Sequence, residues 1–269
     1  MKQIIVYFDG GLGNQMSQYA MYKLLSKQYP KRKILANIKA YENSKIHNGF
    51  ELQNVFSHVK LNFTTKLSSI SGYRSKQIIQ KYESGYPENK SIFSLDNKSY
   101  KIIGTWHNYD YSSVMPELRS DFQFRELPSE LQVLGREISS CNSVSIHVRK
   151  GDYVQYGLDI LTTDWYKRAI DIIKSKVERP VFFVFSDEDV RSEFEGMDCD
   201  FCYVTGNSGA NAYRDMQLMS MCRHNIIANS TFSYWAALLN ENSEKVVIRP
   251  YMQTKTNKTW SVDGWILLE

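Results

Sequence analysis

The chain opens with an unbroken apolar run, Ile4 to Phe8, that gives way at once to Asp9-Gly10-Gly11-Leu12-Gly13-Asn14-Gln15. Past this turn, Met16, Tyr19, Ala20, Leu24 and Leu25 recur every three or four residues, the period of one helix face. The pattern predicts a strand, a glycine turn and a helix. Residues 60–100 are polar, basic and weakly periodic, and read as short helices and loops. Ile102-Ile103 predicts another strand, leading into Gly104-Thr105-Trp106-His107 and Tyr109.

The second half is more regular. Val144, Ile146 and Val148 alternate with Ser145, His147 and Arg149, the period of a strand, and Gly151-Asp152-Tyr153 then turns the chain. Thr163 can cap a helix over 164–176 whose apolar stripe is Trp165, Ala169, Ile172 and Ile173. Val181 to Phe185 is continuously apolar, as suits a strand buried on both faces of a parallel sheet. Residues 212–221 predict a helix, 225–228 a short strand, 229–233 the entry to a helix through Leu239, and 246–248 a last strand stopped by Pro250. Strands alternating with helices in both halves predict an α/β protein with parallel sheets. The divide is expected between Phe124 and Cys141, where Pro128, Ser129 and Gly135 sit in a charged stretch. Drawn at 135/136, it gives two Rossmann-like domains, 1–135 and 136–269.

With 42% hydrophobic and 23% charged residues, the 269-residue chain has a globular composition, which excludes a disordered tail, a collagen-like fibre and a coiled coil. A chain of this length buries roughly 70–75% of its unfolded surface and needs no disulfide or metal staple. Its net charge of +4 is uneven. Residues 1–140 carry 19 basic and 12 acidic side chains, residues 141–269 carry 14 and 17. A basic first half suits an anionic partner, such as a membrane surface or a charged ligand; ordinary surface solubility is the plainer reading. Lys31-Arg32-Lys33 reads as a solvated loop. Basic residues form no aromatic-studded patch, which argues against nucleic acid. No apolar run approaches the ~18 residues of a membrane span, and Met1-Lys2 runs straight into the first strand with no secretory core. A cytoplasmic protein with reduced thiols is expected. Cys199 and Cys202 have CxxC spacing, but Cys141 and Cys222 form no second pair, so incidental thiols are expected rather than a zinc or redox site.

Ligands of open parallel sheets bind beyond the carboxyl ends of the strands, and four polar clusters fall at such ends. Gly10 to Gln15 let the backbone approach a ligand, but lack the Gly-Lys-Ser/Thr of a Walker A loop and the third glycine of a dinucleotide fingerprint. A tight strand–helix turn is the alternative. His147 and Arg149 share one strand face, so both can reach one ligand, and a guanidinium there can pair bidentately with phosphate. Alternatively, His147 is a satisfied core histidine and Arg149 locks a turn through Asp152. Asn229, Ser230 and Thr231 enter a helix whose amides and dipole favour an anion, or simply cap it. Asp187, at the end of the Val181–Phe185 run, can accept bonds from a nucleoside or cap a helix. Together these describe a nucleoside diphosphate site in the second half.

Three segments carry a resemblance. They are Gly10-Gly-Leu-Gly-Asn-Gln-Met-Ser-Gln-Tyr-Ala20, His147-Val-Arg-Lys-Gly-Asp-Tyr153, and the long run from Asp215 to Ala237 that includes Met219-Ser-Met-Cys-Arg-His-Asn-Ile-Ile-Ala-Asn-Ser-Thr-Phe-Ser-Tyr-Trp235. In order and spacing the chain resembles the inverting α-1,2-fucosyltransferases of glycosyltransferase family 11 over nearly its whole length. The resemblance implies a GT-B fold of two Rossmann-like domains with parallel sheets facing a central cleft, the first on the acceptor side and the second binding GDP-fucose. It implies no cofactor and no essential metal. It assigns Arg149 to the donor pyrophosphate; with the strand-end clusters, the expected donor-binding set is Gly11, Gly13, Asn14, Gln15, Arg149, Asp187, Asn229, Ser230 and Thr231. The implied acceptor is a terminal β-galactoside of a surface polysaccharide or lipopolysaccharide intermediate. The basic first half would suit a lipid-linked acceptor and a peripheral contact with the inner membrane face. Lys150 stands where the family's HxRRxD motif has its second Arg; it keeps the charge and loses the planar fork, so weaker donor binding is expected. His107 stands where related sequences often carry Gln.

Inverting transfer needs the departing diphosphate stabilised, by Arg149 and the amides at Ser230 and Thr231, and the acceptor hydroxyl oriented. Asp152 is the first candidate base and equally a partner that holds His147 or Arg149; Asp9 is the second candidate base. A GDP-sugar transferase of other linkage, α-1,6 or protein O-fucosyl, shares the HxRxxD motif. A non-catalytic glycan- or nucleotide-binding protein would be expected to lack the phosphate-binding residues.

Overall fold

A computed structural model describes residues 2–42, 47–65, 75–79, 92, 94–107, 109–252, 254 and 262–269. The chain separates into two units, Met1–Arg125 and Glu126–Glu269, each built on one parallel sheet. Much of the 60–100 stretch lies outside the described residues, as does Asn108.

In the first unit the strands β1 (Gln3–Tyr7), β2 (Lys33–Asn37), β3 (Lys76–Ile79) and β4 (Tyr100–Ile103) lie in the order β2-β1-β4-β3. Ile4, Ile5 and Val6 are at most 1% exposed, so the apolar opening run is a strand covered on both faces. The helix α1 (Leu12–Gln28) follows the glycine turn. Its first three turns are buried nearly all round, including Gln15, Ser17 and Gln18. A helix so enclosed has no solvent-facing stripe, and its polar side chains must find internal partners. The short helices α2 (Leu52–Val55) and α3 (Met115–Asp121) complete the unit among the described residues. Lys33 begins β2, and the Arg32 guanidinium lies over the Tyr29 ring at 5.1 Å, so the basic tract is partly structured rather than a solvated loop.

In the second unit six parallel strands run β10-β9-β8-β5-β6-β7. These are β5 (Ser143–Val148), β6 (Val181–Ser186), β7 (Phe201–Val204), β8 (His224–Ile226), β9 (Val247–Pro250) and β10 (Ile266–Leu268). Helices α4 (Ser129–Ser140), α5 (Gly151–Tyr156), α6 (Thr163–Lys176), α7 (Tyr213–Met221) and α8 (Thr231–Leu239) join them. Val144, Ile146 and Val148 pack with Trp165, Ala169 and Ile173 of α6 and with Phe182 and Val184 of β6. The alternate residues of β5 are equally buried and pay for their polarity with bonds: Ser145 Oγ accepts from Asn225 Nδ2 at 2.8 Å, and Ser143 Oγ from the Arg223 amide at 3.0 Å.

Several boundaries move. A divide at 135/136 would fall inside α4, which belongs wholly to the second unit. The cap of α6 is Thr162, not Thr163: its Oγ1 accepts from the Trp165 amide at 3.2 Å, satisfying a first-turn donor. Gly151–Tyr156 is a short helix rather than a turn, and β8 ends at Ile226 rather than 228. All four cysteines are free thiols, with Cys202 inside β7.

Candidate functional site

The connections of the second sheet reverse beside β5. The chain proceeds outward through β6 and β7, then returns to place β8 on the other side of β5. The gap between the carboxyl ends of β5 and β8 is therefore the switch point, where such sheets receive ligands. His147 lies at the end of β5 and Arg149 and Lys150 just past it; Asn229, Ser230 and Thr231 follow β8.

Arg149 is held by two carboxylates. One terminal nitrogen lies 2.6 Å from Asp152 Oδ1, the other 2.9 Å from Asp187 Oδ2. The guanidinium also lies over the Tyr153 ring at 5.4 Å. If each contact takes one N–H, three of its five donors are left, more than the two that a bidentate fork uses on a phosphate. Asp187 Oδ1 accepts from the Lys150 amide at 2.9 Å, so both Asp187 oxygens face protein donors. Gly151 makes room for this: at φ +28°, a Cβ there would lie 2.5 Å from Asp187 Oδ2.

His147 is 5% exposed. Its Nδ1 lies 2.9 Å from Ser233 Oγ in the first turn of α8, and its carbonyl accepts from Tyr166 Oη at 3.1 Å. Burial, with the Arg149 charge adding to it, pushes the imidazole down to about 3. His147 is thus neutral at working pH and pins α8 rather than supplying charge. Ser230 caps α8, its Oγ accepting from the Phe232 amide at 3.3 Å. Asn229 Nδ2 donates to the Leu158 carbonyl at 3.0 Å, and Tyr153 Oη donates to the Asn229 carbonyl at 3.3 Å. The structure therefore brings Arg149, Asp152, Asp187, Asn229 and Ser230, with Thr231 next in chain, to one strand-end region.

The first sheet has its own switch point, between β1 and β4. Gly10 takes φ +73°, with Asn14 so close that a Cβ would lie 2.4 Å from its Nδ2. Gly11 precedes α1, and a Cβ there would lie 3.5 Å from the His47 ring. Leu12 and Gly13 are buried in the first turn. Gln15 is fully buried and saturated. Its Nε2 donates to the carbonyls of Gly10 (3.1 Å) and Gly49 (2.9 Å), and its Oε1 accepts from the amides of Glu51 (2.9 Å) and Leu52 (3.1 Å). It shapes the turn from behind. Asp9 is exposed and fixed by Gln18, whose Oε1 accepts from the Asp9 amide at 3.1 Å and whose Nε2 donates to Asp9 Oδ1 at 2.7 Å and to the Gly104 carbonyl at 3.2 Å. Gln18 thus spans the switch point, joining the loop after β1 to the loop after β4. There Trp106 takes φ +58° while fully buried, and His107 Nδ1 lies 2.7 Å from Thr105 Oγ1.

Sequence reasoning missed Gln18 as a positioning group, although the sequence placed it on α1 beside Gln15; only the fold shows its partners 9 and 86 residues away. It also missed Asp215, in the first turn of α7, which accepts from Asn207 Nδ2 at 2.7 Å and whose carboxyl burial pushes up to about 7. Among the described residues no three His, Cys, Asp or Glu side chains gather as a metal site, and no helix is long and apolar enough to cross a membrane.

The family model of Glycosyl transferase family 11 matches residues 2–268. An alpha-1,2-colitosyltransferase of Escherichia coli is 30% identical over 93% of this chain and 92% of its own length. The galactoside alpha-(1,2)-fucosyltransferase 1 of Ateles belzebuth is 25% identical over 87% of this chain and 64% of its own length. Among solved structures, the fucosyltransferase NodZ from Bradyrhizobium superposes with a TM-score of 0.58 at 15% identity, covering 88% of this chain and 93% of that one. The architecture is that of a GT-B glycosyltransferase, two α/β units on parallel sheets. The chain belongs to glycosyl transferase family 11.

Proposed function

We propose that this protein is an inverting galactoside α-1,2-fucosyltransferase that moves fucose from GDP-β-L-fucose to the 2-hydroxyl of a terminal β-galactose on a surface glycan. One observation carries the donor half of the reading: Arg149, fixed by Asp152 and Asp187, stands at the second sheet's switch point with the N-terminus of α8. The linkage rests on the family and on the two α-1,2-transferases to which the chain is similar. A colitose donor is the second reading, favoured by the relative at 30% identity.

In this reading the acceptor oxygen attacks the anomeric carbon from the face opposite the diphosphate, the bond to phosphate breaks, and GDP leaves with the electron pair. Arg149 and the α8 N-terminus stabilise the departing charge. Asp152 orients Arg149, since its carboxylate is engaged there at 2.6 Å. Asp187 does the same from the other side, a role its bonds support better than contact with the nucleoside. His147 holds α8. Asp9, exposed and fixed by Gln18, takes the acceptor proton. The first unit receives the acceptor, a lipid-linked glycan intermediate reached by peripheral contact with the inner membrane face. High salt should release the protein from anionic liposomes; absence of binding at low salt refutes that contact.

The test is GDP release from GDP-fucose, with lactose or N-acetyllactosamine as acceptor and EDTA present, followed by linkage analysis. The expected product carries 2-linked fucose on galactose. GDP release without that product refutes the acceptor assignment, and absence of GDP-fucose binding refutes the donor assignment. Loss of turnover in EDTA, restored by Mn²⁺, refutes metal independence.

A further inference from the structure

Lys150 invites assignment to the donor because it follows Arg149 and is cationic. Its side chain is otherwise engaged. Nζ lies 2.8 Å from Glu193 Oε1 and 3.2 Å from Asp159 Oδ2, and the side chain is 17% exposed. Two carboxylates, one of them beyond β6, take the ammonium, so its side chain serves the protein's own structure. Its main chain meanwhile belongs to the arginine clamp, through the amide on Asp187.

The segment that Lys150 holds is the one that follows α5. Leu158 sits between Tyr153, whose carbonyl accepts from the Leu158 amide at 2.8 Å, and Asn229, which donates to the Leu158 carbonyl. Asp159 is the next residue. A continuous path therefore runs from Glu193 through Lys150 to Asp159, and along the chain to Leu158, Asn229 and the cap Ser230.

Resting on the donor reading above, we propose that Lys150 is a positioning residue: by tying Asp159 to Glu193 it fixes the 157–160 segment against Asn229 and so sets the α8 N-terminus in register with Arg149. Without the ammonium, Asp159 and Glu193 face each other with like charge, and the segment moves away from Asn229. The donor site then loosens although no donor contact has been removed.

The test is calorimetric titration of the full chain with GDP. Lys150→Met is expected to weaken GDP binding by roughly tenfold, one step of ~1.4 kcal/mol. Lys150→Arg, which spans the same carboxylates, should bind within about threefold of the wild type. The deciding variant is Lys150→Met combined with Asp159→Asn and Glu193→Gln. Removing the repulsion should restore GDP affinity to within about threefold, whereas a lysine that touched the phosphates could not be rescued so. Failure of this triple variant to recover, with its circular dichroism and melting intact, overturns the proposal, as does unchanged affinity in Lys150→Met. If Lys150→Met does not fold, the arginine and triple variants decide. A wild-type protein that binds no GDP would instead refute the donor reading itself, and this inference with it.

Discussion

The two sheets solve the same topological problem with different chemistry. In the first unit the chain leaves β1 for β2 on one side and comes back from the far edge to set β4 on the other; in the second it reverses once, beside β5. Beside β1 the loops are fixed by neutral amides: Gln15 and Gln18 hold main-chain groups and Asp9. Beside β5 they are fixed by ion pairs, Arg149 with Asp152 and Asp187, and Lys150 with Asp159 and Glu193. Amide pegs shape a surface without setting a field, which suits an uncharged sugar. A clamped guanidinium beside a helix N-terminus suits a group that gains negative charge as it leaves.

The sharpest attack on this contrast is Arg149→Ala. Transfer should fall by more than about 100-fold in kcat/KM, the scale of losing a principal stabiliser of leaving-group charge, with melting little changed. Near-normal turnover by folded protein would end the assignment. Next in size is Gly151→Ala. The added methyl would stand 2.5 Å from Asp187 Oδ2, so the carboxylate must swing away from both Arg149 and the Lys150 amide. GDP affinity should drop by about tenfold or more, read by calorimetry.

Gln18→Ala tests the other region. It removes three bonds around Asp9 and Gly104 and should cut kcat by roughly tenfold while leaving the GDP dissociation constant unchanged. A parallel loss of GDP binding would dissolve the division of labour.

The smallest effect concerns stability against pH, where His147, buried, and Asp215, half-buried, pull in opposite directions. Asp215 titrates near 7 when folded and near 3.9 when unfolded, so between those values the folded state binds the extra proton and stability falls as pH rises. His147, pushed down to about 3, does the reverse: its contribution is complete above its unfolded value near 6.5 and is lost as pH falls toward 3. Asp215→Asn should therefore raise the melting temperature at pH 8 by on the order of 2 °C or more and leave it unchanged at pH 4. An equal shift at both values would show that the carboxyl is not held protonated.

Much of this plan is visible in the residues. The glycine turn, the β5 alternation and the continuous run of β6 each have one periodicity, and the structure follows it. What escaped is local or distant in specific ways. β2, β3, β7 and β10 went unread as strands of three to five residues, and β3 lies in the polar stretch that reads as short helices and loops. Helix α4 lay in a charged stretch interrupted by Gly135, but that glycine is a contact rather than a break: a Cβ would meet Leu127 Cδ1 at 2.5 Å. Gln15 has the residue type of a binding group, and only its four partners show it to be saturated. The two carboxylates on Lys150 lie 9 and 43 residues downstream, a separation no local pattern spans.

The closeness of Gly151 to Asp187 also bears on how such a sequence can drift. A side chain at 151 forces the carboxylate at 187 to move, and a shorter residue at 187 releases the arginine beside it. Each change alone loosens the clamp, so the two positions are coupled. Lys150, whose reach an arginine can match, has a single-step route open. Adjacent positions in one short segment thus evolve under different rules, and a single distance in the fold sets them.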